Sequence, residues 1–306
     1  MFRPLLSAQE DPLAYPEYFE RLPFPLLGSG KLDGIRCLPD GALCLSRKLK
    51  PLRSYQCHDL FGELEYCDGE LLAGDPHIEG IYNVTQSHVM SFNKPADDMR
   101  YYVFDNCKHL HWPFEDRFKM AQDYVAKLDR DDVILVEHEL VEDLEHLLDF
   151  EKRRLEAGDE GIMMRTPGGI YKTGRATWLD EILYKLKRFV EAEGRVKGFE
   201  EKMLNINPQE RREDGYAKRS KAKEGLVPAG TVGKFLVDYP GNPDYGLDRM
   251  DILVGPGSFT DKELQEMWNN PGKYLDGILK FRFQLFGIKD MPRQARASGW
   301  RDEMDM

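Results

Sequence analysis

Cysteine is scarce in this chain: five residues in 306 (Cys37, Cys44, Cys57, Cys67 and Cys107), an odd number with no Cys-x-x-Cys pair. That excludes a disulfide framework and a zinc ribbon, and leaves reduced, mostly structural thiols as the expectation. The seven histidines show no metal-ligand spacing, and His109-Leu110-His111 ahead of Trp112-Pro113 reads as a loop. No apolar run approaches the roughly 18 residues of a membrane helix, and no basic segment followed by an apolar one opens the chain. A cytoplasmic protein without a membrane partner is the expectation. Internal repeats and long low-complexity runs are absent as well. Positive charge is in deficit: 43 Lys+Arg against 54 Asp+Glu give a formal net charge of -11, which argues against a generally basic nucleic-acid-binding coat.

What is present is the composition of a globular protein with a sizeable core, 41% hydrophobic and 32% charged, long enough for two domains. The acid excess is unevenly placed. Residues 1–188 hold 24 Lys+Arg and 34 Asp+Glu, whereas residues 189–306 hold 19 and 20. Within that balanced second part, the run from Arg211 to Lys223, with Lys218, Arg219 and Lys221, is locally basic. It reads either as a solvated loop or as a patch that grips a phosphate backbone.

The stretch Lys31-Leu32-Asp33-Gly34-Ile35-Arg36 follows the small-residue run Gly28-Ser29-Gly30. A lysine amine is a nucleophile only without its proton, and a neighbouring cation lowers its pKa toward that state. Gly34 lets backbone approach a ligand, and Arg36 supplies a forked donor for phosphate. These four fixed positions would match by chance in about one chain in two hundred, so the motif needs company.

The flanking pattern predicts alternating strands and helices. Proline punctuates the first thirty residues, with a short helix around Glu17 to Leu22. Two strands joined by a tight turn at Pro39-Asp40-Gly41 run from Gly34 to Leu45, and Ser46-Arg47-Lys48 follows. A helix within Tyr55–Leu64 precedes a strand, Tyr66 to Leu72, that carries Glu70; after a partly helical polar connection, Tyr101 to Asp105 is a second aromatic strand. Phe114, Phe118, Ala121, Val125 and Leu128 recur at helical spacing behind Pro113. Val133 to Leu140 reads as one β-branched strand, Glu142 to Glu156 as a helix stopped at Gly158, and Glu160 to Arg165 as a strand opened by an acid. Leu183 to Arg188 alternates apolar with basic residues. Beyond Phe189 to Gly194 the texture changes to short strands at 195–200, 233–239, 250–254 and 278–286 around one helix, begun by a Thr260/Glu263 capping box and ended at Asn269-Asn270-Pro271-Gly272. That pattern suggests a small barrel.

Lys31 to Arg36, Asp68-Gly69-Glu70, Glu160-Gly161-Ile162 and Lys185-Leu186-Lys187 thus stand in a fixed order, with Val103-Phe104-Asp105 among them. Together with Leu45-Ser46-Arg47 and the run Gly169 to Arg175, they closely resemble the motif series of the covalent nucleotidyltransferases, most closely the compact ATP-dependent DNA ligases of bacteriophage type. The resemblance implies an α+β fold. A nucleotidyltransferase (adenylation) domain with antiparallel sheets and flanking helices would cover 1–188, and a small OB-fold β-barrel domain that binds DNA would cover 189–306.

The implied reaction has three steps: a lysine takes AMP from ATP, passes it to a 5′-phosphate, and a neighbouring 3′-hydroxyl displaces it. By that resemblance Lys31 is the nucleophile, and Lys185 and Lys187 neutralise the α-phosphate. Glu160 would hold Mg²⁺ or Mn²⁺, and Glu70 would contact the ribose or support the metal. Asp33, Arg36 and Arg47 join the nucleotide contacts, Arg47 also the nick phosphate, and Phe104 stacks on adenine. Lys172, Arg175, Lys218, Arg219 and Lys221 are the implied DNA contacts. No segment for a nicotinamide nucleotide precedes Lys31, which favours ATP over NAD as the AMP donor. In the tail, Arg293 and Arg301 are both open for orienting pyrophosphate. Nicked duplex DNA is the implied partner and a monomer the expected state. Two other readings stand beside this one: an RNA ligase or RNA-capping guanylyltransferase, and a non-catalytic OB-fold nucleic-acid-binding protein.

Overall fold

The computed structural model describes residues 2–8, 16–78, 80–211, 217–220, 222–284 and 292–301. The chain divides into two compact units, Met1–Lys187 and Arg188–Met306.

The first unit is built on two sheets. In one, β1 (Leu26–Gly30) lies between β7 (Glu139–Val141) and β8 (Ile162–Arg165), and β9 (Leu183–Leu186) flanks β8, all antiparallel. In the other, the order is β3 (Leu43–Leu45), β2 (Ile35–Asp40), β4 (Cys67–Ala73), β5 (Met99–Asn106) and β6 (Val133–Leu135). Only the β5–β6 pairing there is parallel. The helices are α1 (Tyr55–Phe61), α2 (Ile81–Val89), α3 (Phe114–Leu128) and α4 (Leu144–Glu156), and a short 3₁₀ turn spans Pro16–Arg21.

Sequence chemistry explains the boundaries. The α1 helix starts at Ser54, whose hydroxyl accepts from Cys57 N, and α4 starts at Asp143, whose carboxylate accepts from His146 N. The chain leaves α4 through Gly158 at φ 97°, a left-handed value that glycine adopts without strain. The apolar stripe of α3 is core: Phe114 and Ala121 are buried, with Val125 and Leu128 packed against a cluster of Cys37, Phe61, Leu71, Tyr101 and Val103. A second cluster joins Leu26, Val141, Ile162 and Leu186 to Leu147 and Phe150 of α4. The five thiols are free, and four are buried, which pushes the Cys57 and Cys67 thiols up to about 12.

Val133 to Leu140 is not one strand. Val133–Leu135 pairs with β5 in one sheet, and Glu139–Val141 pairs with β1 in the other. The crossing falls at residues 136–138, outside both strands, where the apolar run gives way to Glu137-His138-Glu139, a polar break that a single-strand assignment passes over.

The second unit is a five-stranded antiparallel sheet in the order β14 (Met250–Val254), β13 (Leu226–Tyr239), β10 (Phe189–Asn205), β15 (Ile278–Gln284) and β16 (Arg293–Trp300). Its edges meet at one bridge, where Gly255 N donates to Ala295 O and Ala297 N donates to Gly255 O, each at 2.9 Å. The helix α5 (Asp261–Asn269) carries both halves of the Thr260/Glu263 capping box and buries Leu264 and Met267 beside Phe235, Val254 and Phe281. Two strands run longer than the sequence pattern predicts: β10 extends from 189 to 205, and β13 begins at Leu226. Their ends alternate little, because residues 200–206 are largely exposed. β16 also escapes the pattern, since its buried side chains, Ala295 and Ala297, are too small to register as an apolar stripe. The basic run is split between β11 (Gln209–Arg211) and β12 (Ala217–Arg219), a two-stranded ribbon; Lys221 lies outside the described residues. Among the described residues, no helix is long and apolar enough to cross a membrane.

Candidate active site

Lys31 leaves the end of β1, and Glu160 stands just before β8. Lys31 N donates to Gly161 O at 2.9 Å and Glu160 N donates to Lys31 O at 3.2 Å, which extends the β1–β8 ladder one step and sets the two residues side by side. Lys31 Nζ then donates to Glu160 Oε2 at 2.5 Å, and Lys187 Nζ donates to Glu160 Oε1. Gly161 is required between them. Its φ is 155°, and a Cβ there would collide with Leu186 O of the neighbouring strand. Lys185, half-buried in β9 opposite Met163, lies two residues before Lys187, which follows the strand.

Charge in this cluster is tightly balanced. Glu160 is 4% exposed; burial opposes its ionisation, yet Lys31 and Lys187 hold its pKa below the usual carboxylate value. Burial likewise opposes the charge on Lys31, but the Glu160 carboxylate, with Glu70 and Asp33 farther off, outweighs it and raises the pKa. Lys31 is therefore a cation in this arrangement, contrary to a simple picture of a standing neutral nucleophile. Lys187 goes the other way, lowered by burial and by the neighbouring Lys31. Glu70 is pushed up to about 7 by burial.

Glu70, Arg36 and Phe104 come from the other sheet, Arg36 directly opposite Glu70 in the β2–β4 ladder. Arg36 is forked onto Asp68, with Nε to Oδ1 and Nη2 to Oδ2 both at 2.5 Å, and Nη2 also donates to Leu5 O at 3.2 Å. Its guanidinium carbon lies 4.6 Å from the centre of the Phe104 ring, and that of Arg165 lies at 5.6 Å. Asp68 accepts a further hydrogen bond from Tyr171 Oη at 2.6 Å. Arg165 Nη1 donates to Asp105 Oδ2 at 2.7 Å, and Asp105 is also gripped by the fully buried Arg117. Sequence reasoning missed Tyr171, Asp105, Arg117 and Arg165. One signal for them existed: Arg117 interrupts the apolar stripe of α3 between Phe114 and Ala121.

The remaining expected residues of the first unit lie outside this cluster of contacts. Arg47 is exposed in the turn closed by Leu49 N donating to Ser46 O. Lys172 is paired with Asp180 at 2.5 Å, and exposed Arg175 donates to Ser7 O at 2.9 Å. In the second unit Arg219 is exposed and donates to Asn205 O at 2.6 Å, and Lys218 sits beside it in β12. Arg293 opens β16, and Arg301 donates to Glu193 Oε2 at 2.7 Å.

Among the described residues no three acidic, histidine or cysteine side chains cluster as a metal cage. The donors present are the Glu160 and Glu70 carboxylates, near enough that Glu160 raises the Glu70 pKa. Such a set fits a hard divalent cation of the Mg²⁺ kind, which binds through one or two carboxylates and keeps its waters.

Antiparallel sheets that bring a strand-end lysine, a buried glutamate and a second lysine together suit the nucleotidyltransferase class that the sequence resembles. The family model for the ATP dependent DNA ligase domain matches residues 31–187, about half of the chain, and the chain belongs to that family. It is an ATP-dependent DNA ligase. The Chlorella virus DNA ligase-adenylate is 27% identical over 99% of this chain and 99% of that one, with a TM-score of 0.54. A Lig E DNA ligase, 20% identical over 98% of this chain and 100% of that one, reaches a TM-score of 0.70, a likeness of fold. No curated protein matches the chain.

Proposed function

We propose that Lys31 is the residue that carries AMP, and that the enzyme uses it to seal 5′-phosphate/3′-hydroxyl nicks in duplex DNA. The observation that carries this reading is the Lys31–Glu160–Lys187 cluster at the end of β1, within the matched region. In the first step the Lys31 nitrogen forms a bond to the α-phosphorus of ATP as the bond to the β-phosphate oxygen breaks and pyrophosphate leaves. AMP then passes to the 5′-phosphate, and the 3′-hydroxyl oxygen displaces it.

The amine must lose its proton before it attacks. Only its acidic neighbours keep the Lys31 pKa high, and burial acts against the charge. Separation from Glu160 would remove the largest of these acidic influences and shift the balance toward the neutral amine, which burial favours. Lys185 and Lys187 would meet the charge that builds on the α-phosphate oxygens. Asp33, Glu70 and Phe104 would contact the nucleotide, with Arg36 fixing the Phe104 ring. Glu160 and Glu70 would hold Mg²⁺, which when bound neutralises phosphate charge. Arg47, Lys172, Arg175, Lys218, Arg219 and Lys221 would meet DNA phosphates, Lys172 after leaving Asp180. The enzyme would act as a monomer inside the cell, where ATP and DNA are found.

Labelled ATP with Mg²⁺ tests the reading: AMP should remain on the wild-type chain and be missing from Lys31→Ala. Label retained by the variant, or no label on the wild type, overturns it. Parallel assays with GTP and with nicked RNA duplex should give little product.

A further inference from the structure

Asp159 immediately precedes Glu160, yet its buried side chain is engaged not with that cluster's lysines but with two partly exposed partners, Arg154 and His77. It is 1% exposed and pairs through Oδ2 with Arg154 Nε at 2.5 Å, and His77 Nε2 lies 3.3 Å from Oδ1. Room for this pair exists because residue 30 is glycine. A Cβ on Gly30, next to Lys31, would collide with both Arg154 Nη2 and Asp159 Oδ2.

The partners come from separate elements. Arg154 belongs to the last turn of α4, and its carbonyl also accepts from Asp159 N at 3.0 Å. His77 belongs to the turn that leaves β4, the strand of Glu70; its own N–H is held by Asp75 Oδ1 at 2.8 Å, and its Cβ would lie 3.1 Å from a Cβ on Gly158. One carboxylate thus ties the residue before Glu160 to the end of α4 and to the loop that follows β4, and it packs against Gly30, the residue before Lys31. Arg165 and Asp105 join the same two sheets at the far end of β8.

A buried ion pair is a poor way to gain stability, since apolar side chains of similar volume often do as well. What it does supply is a fixed direction between the groups it joins. We infer that Asp159, with Arg154 and His77, is a positioning residue for lysine adenylylation, holding Lys31 and Glu160 at their working distance from the sheet that carries Glu70. It touches neither nucleotide nor reacting atoms. The inference rests on Lys31 being the nucleophile.

The test is single-turnover formation of the AMP-labelled full-length enzyme over a range of ATP concentrations, for wild type, Asp159→Asn, His77→Ala and His77→Gln. Displacements of about 1 Å can cost on the order of a hundredfold in rate, so losing one tie of several should cost about tenfold. Asp159→Asn keeps the shape and loses the charge: its maximal rate should fall about tenfold with half-saturating ATP changed less than about twofold. His77→Ala should lose about threefold, and His77→Gln, which restores a donor near Nε2, should recover most of that. A wild-type maximal rate in Asp159→Asn or in His77→Ala overturns the inference, as does a change confined to half-saturating ATP, or His77→Gln no better than His77→Ala. If Asp159→Asn does not fold, the two His77 variants decide alone. Absence of label on the wild type would instead sink the nucleophile assignment itself.

Discussion

Replacing Glu160 by glutamine should unsettle the first unit as well as its chemistry. The carboxylate is 4% exposed and has an ammonium group on each oxygen, Lys31 at 23% and Lys187 at 16% side-chain exposure. Removing one partner of a buried pair costs about 3–5 kcal/mol, because the remaining charge is left uncompensated. Two cations are stranded here, but each keeps some contact with water, so the lower end, about 3 kcal/mol, is the expected loss. With a urea slope of about 3 kcal/mol per molar, the unfolding midpoint of that unit should drop by about 1 M. The assay is urea denaturation followed by tryptophan fluorescence and by circular dichroism, in chelator so that no divalent cation contributes. In a double-mutant cycle with Lys187→Met, the two losses should fall short of additivity by more than about 1 kcal/mol, since the second change removes one stranded charge. A loss below about 1 kcal/mol, or strict additivity, would refute the reasoning that Glu160 is the charge that holds both lysines.

Glu70→Gln should act in the opposite direction and only at higher pH. With its pKa raised to about 7, Glu70 keeps its proton in the folded chain while the unfolded chain loses it near 4.5, so wild-type stability falls as pH rises between these values and stays lower above 7. Measured in chelator, the variant should match wild type near pH 4 and exceed it by about 3 kcal/mol at pH 8; a difference that does not vary with pH counts against the buried carboxyl. Gly161→Ala would force a Cβ onto Leu186 O at a φ of 155°, and should lose about 3 kcal/mol and most adenylylation; wild-type melting would show that this backbone is not constrained. Replacing Lys218 and Arg219 together by alanine should weaken nicked-DNA binding and reduce the slope of log affinity against log salt by about 2, and an unchanged slope removes the ribbon from the DNA interface.

How much of this was legible in the sequence depends on distance along the chain. The Lys31 turn, the β2–β3 hairpin, α3, α4 and the capped α5 are local events, and spacing or capping chemistry marks each one. Lys185 and Lys187 stood out because they alternate with apolar residues at the end of the first unit, and Glu160 because it opens an apolar strand. Contacts between distant residues left no such trace: Tyr171 reaches Asp68 across 103 positions and Arg165 reaches Asp105 across 60. Arg36 illustrates the consequence. As a residue type it suits a phosphate, but the fold gives it Asp68 and the Phe104 ring, which only the paired strands bring within reach.

The charge state of Lys31 ties the stability of the site to its chemistry. A lysine buried without a partner would be neutral and reactive but costly to fold, whereas one locked to a carboxylate is charged, less costly to fold and inert. This chain takes the second arrangement and places a second lysine, Lys187, on the other oxygen of the same carboxylate. Lys187 is the more weakly held proton of the two, its pKa lowered while that of Lys31 is raised. Any negative group that draws Lys187 away from Glu160 would therefore strengthen the remaining Lys31–Glu160 pair, not weaken it. On the proposal that Lys31 carries AMP, moving or neutralising Glu160 would then release the amine. The short segment 158–161, with Gly158 and Gly161 at positive φ and Asp159 paired to Arg154, is where such a change would act.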